Sequence, residues 1–363
     1  MKTKLILVGG FLGSGKTTLL WESARRLTGR GRSVGLVTND QAPDLVDTAF
    51  LSRSGAGIQE VSGSCFCCNF GGFIDAVQSL VKQKADTIIA EPVGSCTDLS
   101  ATIMQPLKDK HPEIGLAPLT VLADPGRVLE VLQRSDSRMH SSALYILRLQ
   151  MDEADHILLN KADTLNPDEC DTTRNLLETS FPAAKIGSIS AKTGDGVDAW
   201  LDAILADNAA GQRVVEVDYD RYAEGEAVLG WLNAVIHFHA PGKEPDWREV
   251  AGNLLNRMHS AFKDRRAEIG HVKLALNCDG KEGTASLTRL GGEIMFRDFD
   301  SLAGQQASLI LNARVQMSPD ELEAIVRKAV ALAEKDGGVA DIRTLRCLMP
   351  GRPNPTHRYA RAV

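Results

Sequence analysis

A glycine-rich stretch near the amino terminus has the composition and spacing of a phosphate-binding loop. Residues 10–17, GFLGSGKT, follow an apolar run at residues 5–8 and satisfy the pattern G-x-x-x-x-G-K-[ST]. Glycines allow backbone N–H groups to face phosphate oxygens, and a helix that begins near Lys16 would direct its positive end at them. We expect Lys16 to neutralise the β and γ phosphates. The predicted phosphate-binding residues are Gly10, Gly13, Ser14, Gly15, Lys16, Thr17 and Thr18.

Two later segments predict that the base of the nucleotide is guanine. Residues 160–163, NKAD, follow the apolar residues HILL and resemble the N-K-x-D motif of P-loop GTPases, in which the aspartate accepts hydrogen bonds from guanine N1 and N2. An aspartate that faced adenine would be left unpaired, so such a site rejects that base. Residues 190–194, SAKTG, resemble the second guanine-contacting loop of the same proteins. The predicted base-binding residues are Asn160, Lys161, Asp163, Ser190, Ala191 and Lys192.

Hydrolysis of a nucleotide requires a group that senses the γ-phosphate and ligands for Mg²⁺. Glu91 ends the apolar segment DTIIAE, and Gly94 follows it with the spacing of the D-x-x-G motif of many GTPases. We expect Thr17, Glu91 and Asp40 to bind Mg²⁺, although a helix N-cap role for Asp40 is equally consistent with its position. The Gly94 amide would contact the γ-phosphate. The predicted catalytic residues are therefore Lys16, Asp40, Glu91 and Gly94.

Three cysteines, Cys65, Cys67 and Cys68, form a C-x-C-C cluster that predicts a metal site. In an extended loop the first two side chains would project to one side, and Cys68 could turn inward as a third thiolate. Three soft ligands suit Zn²⁺, Co²⁺ or Cu⁺, and they leave a fourth coordination position open for exchange. Buried apolar cysteines or a redox pair are the alternatives. The scattered cysteines Cys96, Cys170, Cys278 and Cys347 are predicted to be inert.

Composition excludes several classes of protein. Lys and Arg number 41 against 47 Asp and Glu, so the chain lacks the basic excess of a nucleic-acid or acidic-membrane binder. The seven cysteines are an odd number, which favours metal or redox chemistry in a reducing compartment over a disulfide framework. No apolar stretch approaches the roughly 20 residues that span a bilayer, and no cleavage signal follows residues 5–8. These features predict a cytoplasmic protein.

The order of apolar and amphipathic segments predicts two domains. Residues 1–212 show the βαβ rhythm of an α/β P-loop NTPase, a mostly parallel sheet with helices on both faces. Residues 213–225 are predicted to be a linker. Residues 226–350 predict a smaller α+β domain of β-α-β-β-β-α-β order, which resembles a ferredoxin-like sandwich with an extra strand, and residues 351–363 an exposed tail.

The phosphate loop, the cysteine cluster before E-x-x-G, the NKAD segment and the small second domain together resemble the CobW-like metallochaperone GTPases, which are relatives of HypB and UreG. The resemblance implies that Cys65, Cys67 and Cys68 carry a transition metal, with Zn²⁺ favoured and Co²⁺ an alternative. It also implies that GTP and Mg²⁺ control the affinity for that metal. The segment at residues 39–43, NDQAP, differs from the N-E-F-G-E of typical members, so the resemblance identifies no carboxylate metal ligand.

The resulting hypothesis is a GTP-hydrolysing carrier that delivers a metal to a client metalloenzyme or to a cofactor-synthesis or corrinoid protein through its C-terminal domain. A nucleotide-dependent homodimer is left open. One alternative is a GTP-gated effector that remodels a cofactor-dependent enzyme and uses the cysteines structurally. A P-loop kinase or ATPase is a further alternative, and the guanine-type motif argues against it.

Overall fold

The computed structural model describes residues 2–39, 46, 51, 54–133, 137 and 139–363. These residues form two compact units. The first contains the described residues up to Gly225, except Val46, and also Arg352–Val363. The second contains Glu226–Gly351 and Val46, whose backbone N–H donates a hydrogen bond to Asn312 Oδ1 over 2.9 Å. The predicted Mg²⁺ ligand Asp40 lies outside the described residues.

The first unit is built on a parallel sheet, as the apolar runs predict. Its main strand order is β3-β2-β4-β1-β6-β7-β8, and β5 also pairs with β1. Because every pair is parallel, the carboxyl ends of the strands, where the motifs lie, meet at one edge of the sheet. The strands are β1 (Lys4–Gly10), β2 (Val34–Asn39), β3 (Gly57–Val61), β4 (Thr87–Glu91), β5 (Gly115–Leu116), β6 (Thr120–Ala123), β7 (His156–Leu159) and β8 (Lys185–Ser188).

Strand β3 was not predicted from the sequence. It is an edge strand that pairs only with β2 in the sheet order, and most of its residues are partly exposed. An edge strand buries less surface than a central parallel strand, so its sequence, GIQEV, lacks the continuous apolar run that identifies the other strands.

Helices follow most of these strands and position the loops at the sheet edge. Asp124 caps α4, and Asn166 forms a capping box with Glu169 at the start of α6. Among the residues that the structure describes, the helices listed before Gly230 are α1 (Lys16–Gly29), α2 (Phe70–Lys82), α3 (Gln105–Lys110, preceded by a π-helical turn at Ser100–Met104), α4 (Pro125–Leu132), α5 (Ser141–Glu153), α6 (Pro167–Ser180), α7 (Val197–Ala206) and α8 (Tyr219–Ala227). Within the described part of the chain, every helix is too short or too polar to cross a bilayer.

Over Glu226–Gly351 the second unit is a six-stranded antiparallel sheet with two helices. The strand order is β12-β11-β10-β13-β9-β14, and the predicted α+β class is confirmed with one additional short strand, β12. Ser318 caps the second helix and Pro319 occupies its first turn, as the sequence predicts. The elements are β9 (Gly230–His239), α9 (Trp247–Asp264), β10 (Ile269–Cys278), β11 (Lys281–Leu287), β12 (Met295–Arg297), β13 (Gln306–Val315), α10 (Pro319–Gly337) and β14 (Val339–Leu348).

Two segments differ from the sequence interpretation. The proposed linker at residues 213–225 belongs to the first unit and contains most of α8, in which Tyr222 is buried. The proposed tail also belongs to the first unit, and its backbone is hydrogen-bonded there although many of its side chains remain exposed. The tail lacks hydrophobic periodicity because polar hydrogen bonds, rather than an apolar face, hold it in place.

Candidate functional site

The phosphate loop connects the end of β1 to the start of α1. Gly10 and Gly15 have φ angles of 134° and 97°, which L side chains rarely adopt. A Cβ atom at Gly10 would lie 2.7 Å from the Leu122 carbonyl oxygen, and one at Gly15 would lie 2.4 Å from Asn160 Nδ2. Only glycine therefore fits these positions, and the loop can bring its backbone N–H groups close to a phosphate.

Lys16, Thr17 and Glu91 form a buried polar cluster beside the loop. Lys16 Nζ donates a hydrogen bond to the Gly10 carbonyl over 2.9 Å and lies 3.9 Å from Glu91 Oε1. The Thr17 hydroxyl donates to the same carboxylate oxygen over 3.1 Å. A hydroxyl and a carboxylate are hard oxygen donors of the kind that Mg²⁺ accepts, so the two residues fit this ion. The structure thus brings together three of the predicted phosphate and Mg²⁺ residues.

Gly94 lies directly against the lysine of the phosphate loop. A Cβ atom at this position would be 3.0 Å from Lys16 Nζ and 2.7 Å from Leu12 Cδ2. This close approach leaves no room for a side chain, which explains why the E-x-x-G segment ends in glycine. It also places the backbone of Gly94 next to Lys16, which is predicted to bind the γ-phosphate. The Gly94 carbonyl accepts a hydrogen bond from Gln150 Nε2 over 3.1 Å.

Asn160 connects the base loops to the phosphate loop. Its Nδ2 atom donates to the Ser14 carbonyl over 2.7 Å, and its Oδ1 atom accepts from the Ala191 N–H over 2.9 Å. Asp163 is exposed, and its Oδ1 atom accepts a hydrogen bond from the Ser190 hydroxyl over 2.6 Å. The two predicted base-binding segments therefore lie side by side, with the carboxylate that would select guanine at the surface.

Lys161 of the same motif forms an ion pair with Asp124. Asp124 caps α4, and its Oδ2 atom lies 2.7 Å from Lys161 Nζ. Burial alone would raise the pKa of Asp124, but the charge and hydrogen bond of Lys161 hold it below the ordinary value. Asp124 is thus ionised and serves both as a cap and as the partner of Lys161.

The cysteine cluster lies in a tight turn rather than in the extended loop that was predicted. The Cys65 carbonyl accepts hydrogen bonds from the N–H groups of Cys68 and Asn69, over 3.0 and 2.9 Å. Because the turn curls the chain, the three Sγ atoms lie within 4.8 Å of one another. Cys65 Sγ is 3.0 Å from Cys67 Sγ, which is 3.8 Å from Cys68 Sγ. The three thiols are close enough together to hold one metal ion, and their role as metal ligands stays a prediction.

Neighbouring thiols perturb one another strongly in this cluster. Hydrogen bonds from Cys67 and Cys68 hold the pKa of Cys65 well below its ordinary value. The hydrogen bond to Cys65 and burial raise the pKa of Cys67, and the same two causes raise the pKa of Cys68 to about 11. Because a metal binds thiolates, metal binding would release protons from thiols whose pKa is raised, as it is for Cys67 and Cys68.

Asn39, at the end of β2, holds the cysteine turn in place. Its Nδ2 atom donates to the carbonyls of Val61 and Ser64, each over 2.8 Å, and its Oδ1 atom accepts from the Phe66 N–H over 2.9 Å. Sequence reasoning did not identify Asn39 as a site residue. Its position at the carboxyl end of a strand was the available signal, since ligand sites of α/β sheets gather at that edge.

Cys96, which was predicted to be inert, is buried in the loop after β4, and its side chain is 1% exposed. Together with Cys67 and Cys68, the Cys96 thiol lowers the pKa of Cys65. That Cys96 is chemically inert stays a prediction.

The carboxyl-terminal segment also contacts the cysteine turn. The Asn354 N–H donates to Cys68 Sγ over 3.3 Å, and the Thr356 N–H donates to the Cys67 carbonyl over 2.8 Å. Arg358 Nε donates to the buried Asp98 Oδ2 over 2.7 Å, two residues after Cys96. This segment therefore contacts both the cysteine turn and the loop after β4.

Two buried polar side chains of helix α5 form hydrogen bonds with the loop that follows β4. Gln150 Nε2 donates to the carbonyls of Gly94 and Cys96. Glu153 accepts hydrogen bonds from the Ser100 N–H over 2.9 Å and the Thr97 hydroxyl over 3.1 Å. Burial nevertheless raises the pKa of Glu153 to about 8. The carboxyl is thus mostly protonated at neutral pH.

This raised pKa predicts that the first unit becomes less stable as pH rises. The folded protein holds a proton on Glu153 that the unfolded chain releases near its ordinary pKa. The contribution of Glu153 to the free energy of unfolding is therefore complete below about pH 4.5 and is lost as pH rises through about 8. We expect the difference in unfolding free energy between wild type and Glu153→Gln to change by about 2 kcal/mol between pH 6 and 8. Urea denaturation at both pH values measures it, with Glu113→Gln as an exposed control. Parallel pH profiles for wild type and Glu153→Gln would contradict this assignment.

The profile of the family described as CobW/HypB/UreG, nucleotide-binding domain, matches residues 4–186, just over half of the chain. The chain belongs to the CobW/HypB/UreG family. The matched region includes the phosphate loop, the cysteine trio and the N-K-x-D segment, so the resemblance inferred from these motifs is confirmed.

Two curated zinc chaperones are similar to about half of this chain. Zinc chaperone YeiR of Escherichia coli is 29% identical over 46% of this chain and 48% of its own length. Zinc chaperone CobW of Pseudomonas aeruginosa is 26% identical over 50% of this chain and 55% of its own. The chain therefore spans about half the length of these relatives. The crystal structure of the hydrogenase maturation factor HypB from Archaeoglobus fulgidus covers 56% of this chain and 89% of its own, with 19% identity and a TM-score of 0.40.

Proposed function

We propose that this chain is a GTP-hydrolysing metallochaperone that carries a transition metal at its cysteine trio and releases it in response to hydrolysis. The observation that carries the proposal is the clustering of three thiols, within 4.8 Å of one another, in the same unit as a complete phosphate loop. A thiol cluster supplies affinity for a soft metal, and the phosphate loop supplies a switch.

Zinc is the cargo that the donor set favours, and cobalt is the second candidate. Sulfur ligands suit Zn²⁺, and two relatives at 29% and 26% identity are zinc chaperones by name. All seven cysteines are free, including those of the trio, and thiols of this kind require a reducing compartment such as the cytoplasm. The metal would enter as cargo and leave with the client.

The nucleotide site would bind GTP through the residues that the structure brings together. Backbone N–H groups of the phosphate loop and Lys16 would bind the phosphates, and the Asp163 carboxylate would select guanine. Thr17 and Glu91 would hold Mg²⁺, which supplies charge neutralisation for phosphoryl transfer when it is bound. Gly94, next to Lys16 Nζ, would donate its N–H to the γ-phosphate and so report its presence.

The client is proposed to be a metalloenzyme or a cofactor-synthesis protein that binds the second unit. Support comes from the independent sheet and core of that unit, and from the family profile, which ends at residue 186 and thus describes only the nucleotide domain. A separate unit of this kind can vary between relatives without disturbing the GTPase site.

The experiment that tests the proposal compares zinc affinity in three states of the full chain. We expect Zn²⁺ to bind more tightly with a non-hydrolysable GTP analogue than with GDP, and to bind weakly to Cys67→Ser with the same analogue. Reciprocal coupling requires that Zn²⁺ raise the affinity for the GTP analogue, relative to the affinity for GDP, by the same factor. Competition with a chromophoric chelator measures the first effect and calorimetry the second. Equal affinities in all three samples would exclude the carrier function.

One observation favours a second candidate, a GTP-gated effector that remodels a cofactor-dependent enzyme. Cys65 and Cys67 are 5% and 3% exposed, as expected of a site with a structural role. A variant with all three cysteines of the trio replaced by serine separates the candidates. The effector would keep its GTP-dependent activation of the client, whereas the carrier would lose it.

A further inference from the structure

Residues 354–358, which we call the strap, contact the cysteine turn through three hydrogen bonds. The Asn354 N–H donates to Cys68 Sγ over 3.3 Å. Thr356 donates from its N–H to the Cys67 carbonyl over 2.8 Å and from its hydroxyl to the Cys68 carbonyl over 3.1 Å. Cys68 is the partly exposed member of the trio, whereas Cys65 and Cys67 are buried. The strap thus binds the one thiol of the trio that solvent reaches.

We infer that the strap positions the Cys68 sulfur for the metal and connects the metal site to the loop that follows β4. Asn354 would hold the sulfur with its backbone N–H, and Arg358 would anchor the strap to that loop. The inference rests on the proposed carrier function and adds to it the chain segment that links cargo to nucleotide. A solvated tail is the ordinary alternative, but such a tail has no reason to direct donors at a sulfur atom and at two carbonyls of the same turn.

The sequence of this segment favours a fixed position for the Asn354 N–H. Asn354 lies between Pro353 and Pro355, and a following proline restricts a residue to extended backbone. Pro353 is buried, so the chain that leads into Asn354 is held in place as well. A donor that is already held loses little conformational freedom when it binds the sulfur. Hydrogen-bond partners of metal ligands typically contribute about 10- to 100-fold to metal affinity.

Arg358 anchors the other end of the strap with an ion pair. Its Nε atom donates to Asp98 Oδ2 over 2.7 Å, and its Nη2 atom donates to the Val215 carbonyl over 2.9 Å. Asp98 is 1% exposed, and the same oxygen accepts a hydrogen bond from the Tyr219 hydroxyl over 2.7 Å. Separating a buried carboxylate from its cationic partner costs far more than breaking an exposed ion pair. The strap is therefore expected to follow any movement of Asp98.

The anchor lies on the loop that would sense the nucleotide. Gly94, whose N–H is proposed to bind the γ-phosphate, belongs to this loop. Gln150 Nε2 donates to the carbonyls of Gly94 and Cys96, over 3.1 and 2.7 Å, and so holds this part of the loop together. Asp98 follows two residues after Cys96. A shift of the loop toward or away from the γ-phosphate would thus reach Cys68 through Asp98 and the strap.

Asn354→Pro tests the donor, because proline has no N–H and adopts extended backbone. We expect the affinity of the full chain for zinc, measured by chelator competition, to fall about 10- to 100-fold with either nucleotide. Asn354→Ala keeps the N–H and is the matched control, which should bind zinc as the wild type does. Cobalt(II) in place of zinc gives a spectroscopic readout, since loss of a hydrogen bond raises the energy of the sulfur lone pair. The sulfur-to-cobalt charge-transfer band of Asn354→Pro should therefore move to longer wavelength, and that of Asn354→Ala should not.

Arg358→Gln tests the anchor. We expect its zinc affinities with a non-hydrolysable GTP analogue and with GDP to become equal, because the strap would no longer follow the loop after β4. Arg352→Gln is the matched control, since Arg352 Nε pairs with Asp220 Oδ1 over 2.9 Å but both side chains are exposed. This control should keep the wild-type ratio of the two affinities.

The outcomes separate this inference from the proposed function. Equal zinc affinities and equal cobalt spectra in Asn354→Pro and Asn354→Ala would overturn the role of the strap at Cys68 and leave the carrier function intact. A wild-type ratio of affinities in Arg358→Gln would overturn the connection to the loop. A wild type without bound zinc would overturn the carrier proposal and this inference together. Hydrogen exchange in the wild type keeps the test decisive even if a variant does not fold. Zinc should slow exchange at residues 354–358, and an unchanged rate would overturn the inference.

Discussion

Replacing Lys16 with alanine is expected to lower kcat/KM for GTP by at least about 100-fold. The ammonium group is 6% exposed and is surrounded by the Gly10 carbonyl and the Glu91 carboxylate, so its charge acts in a poorly solvated site. A fixed charge in such a site stabilises the charge that develops on the phosphate oxygens far more than a solvated one would. Phosphate release measured with saturating and limiting GTP gives both kinetic constants.

Lys82→Ala is the matched control that distinguishes a specific role of Lys16 from a general effect of losing a lysine. Lys82, an exposed lysine in the last turn of α2, can be changed to alanine with the same loss of charge and side-chain length. We expect this variant to hydrolyse GTP at the wild-type rate. If Lys16→Ala and Lys82→Ala were equally active, Lys16 would have no part in phosphate chemistry and the loop would be a structural turn.

Changing Asp163 to asparagine is expected to weaken GTP binding by about 1,000-fold or more and to create affinity for xanthosine triphosphate. The carboxylate accepts two hydrogen bonds from guanine, whereas the amide of asparagine would direct a donor at the donors of the base. Xanthine carries a carbonyl oxygen where guanine carries its amino group, so the amide gains a partner there. Competition binding with both nucleotides measures the exchange of preference.

Asp163 also accepts a hydrogen bond from the Ser190 hydroxyl, so loop disruption has to be distinguished from lost base recognition. Ser190→Ala removes that bond and keeps the carboxylate. We expect a smaller loss of GTP affinity from Ser190→Ala, with the preference for guanine unchanged. Asp168→Asn changes an exposed acid in the first turn of α6 and is expected to have no effect on base preference. Equal preferences in wild type and Asp163→Asn would place the base elsewhere.

The parts of the site that could be predicted from sequence are those defined by short spacings. The phosphate loop, the N-K-x-D segment and the cysteine trio each occupy a few consecutive residues, and their geometry follows from the strand, turn or helix that contains them. The alternation of apolar and amphipathic segments likewise predicted the parallel sheet, because central strands buried on both faces are continuously apolar.

The parts that could not be predicted depend on residues far apart in the chain. Asn39 holds the cysteine turn through backbone carbonyls, for which no side-chain pattern is required. The contact between Asn354 and Cys68 spans 286 positions and uses a backbone N–H that every residue except proline has. Such contacts leave no periodic signal in the sequence.

The path of the chain has a consequence for how the protein should be dissected. The first unit resumes at Arg352 after the whole of Glu226–Gly351, so the second unit is an insertion within the first. A fragment that ended at Gly225 would contain every GTPase motif but would lack the donors to Cys68 and Asp98. A deletion that joins Gly225 to Arg352 through a short glycine-serine linker keeps these donors and is the better minimal protein. A difference in zinc affinity between this protein and the fragment that ends at Gly225 would measure what Arg352–Val363 contributes to the proposed metal site.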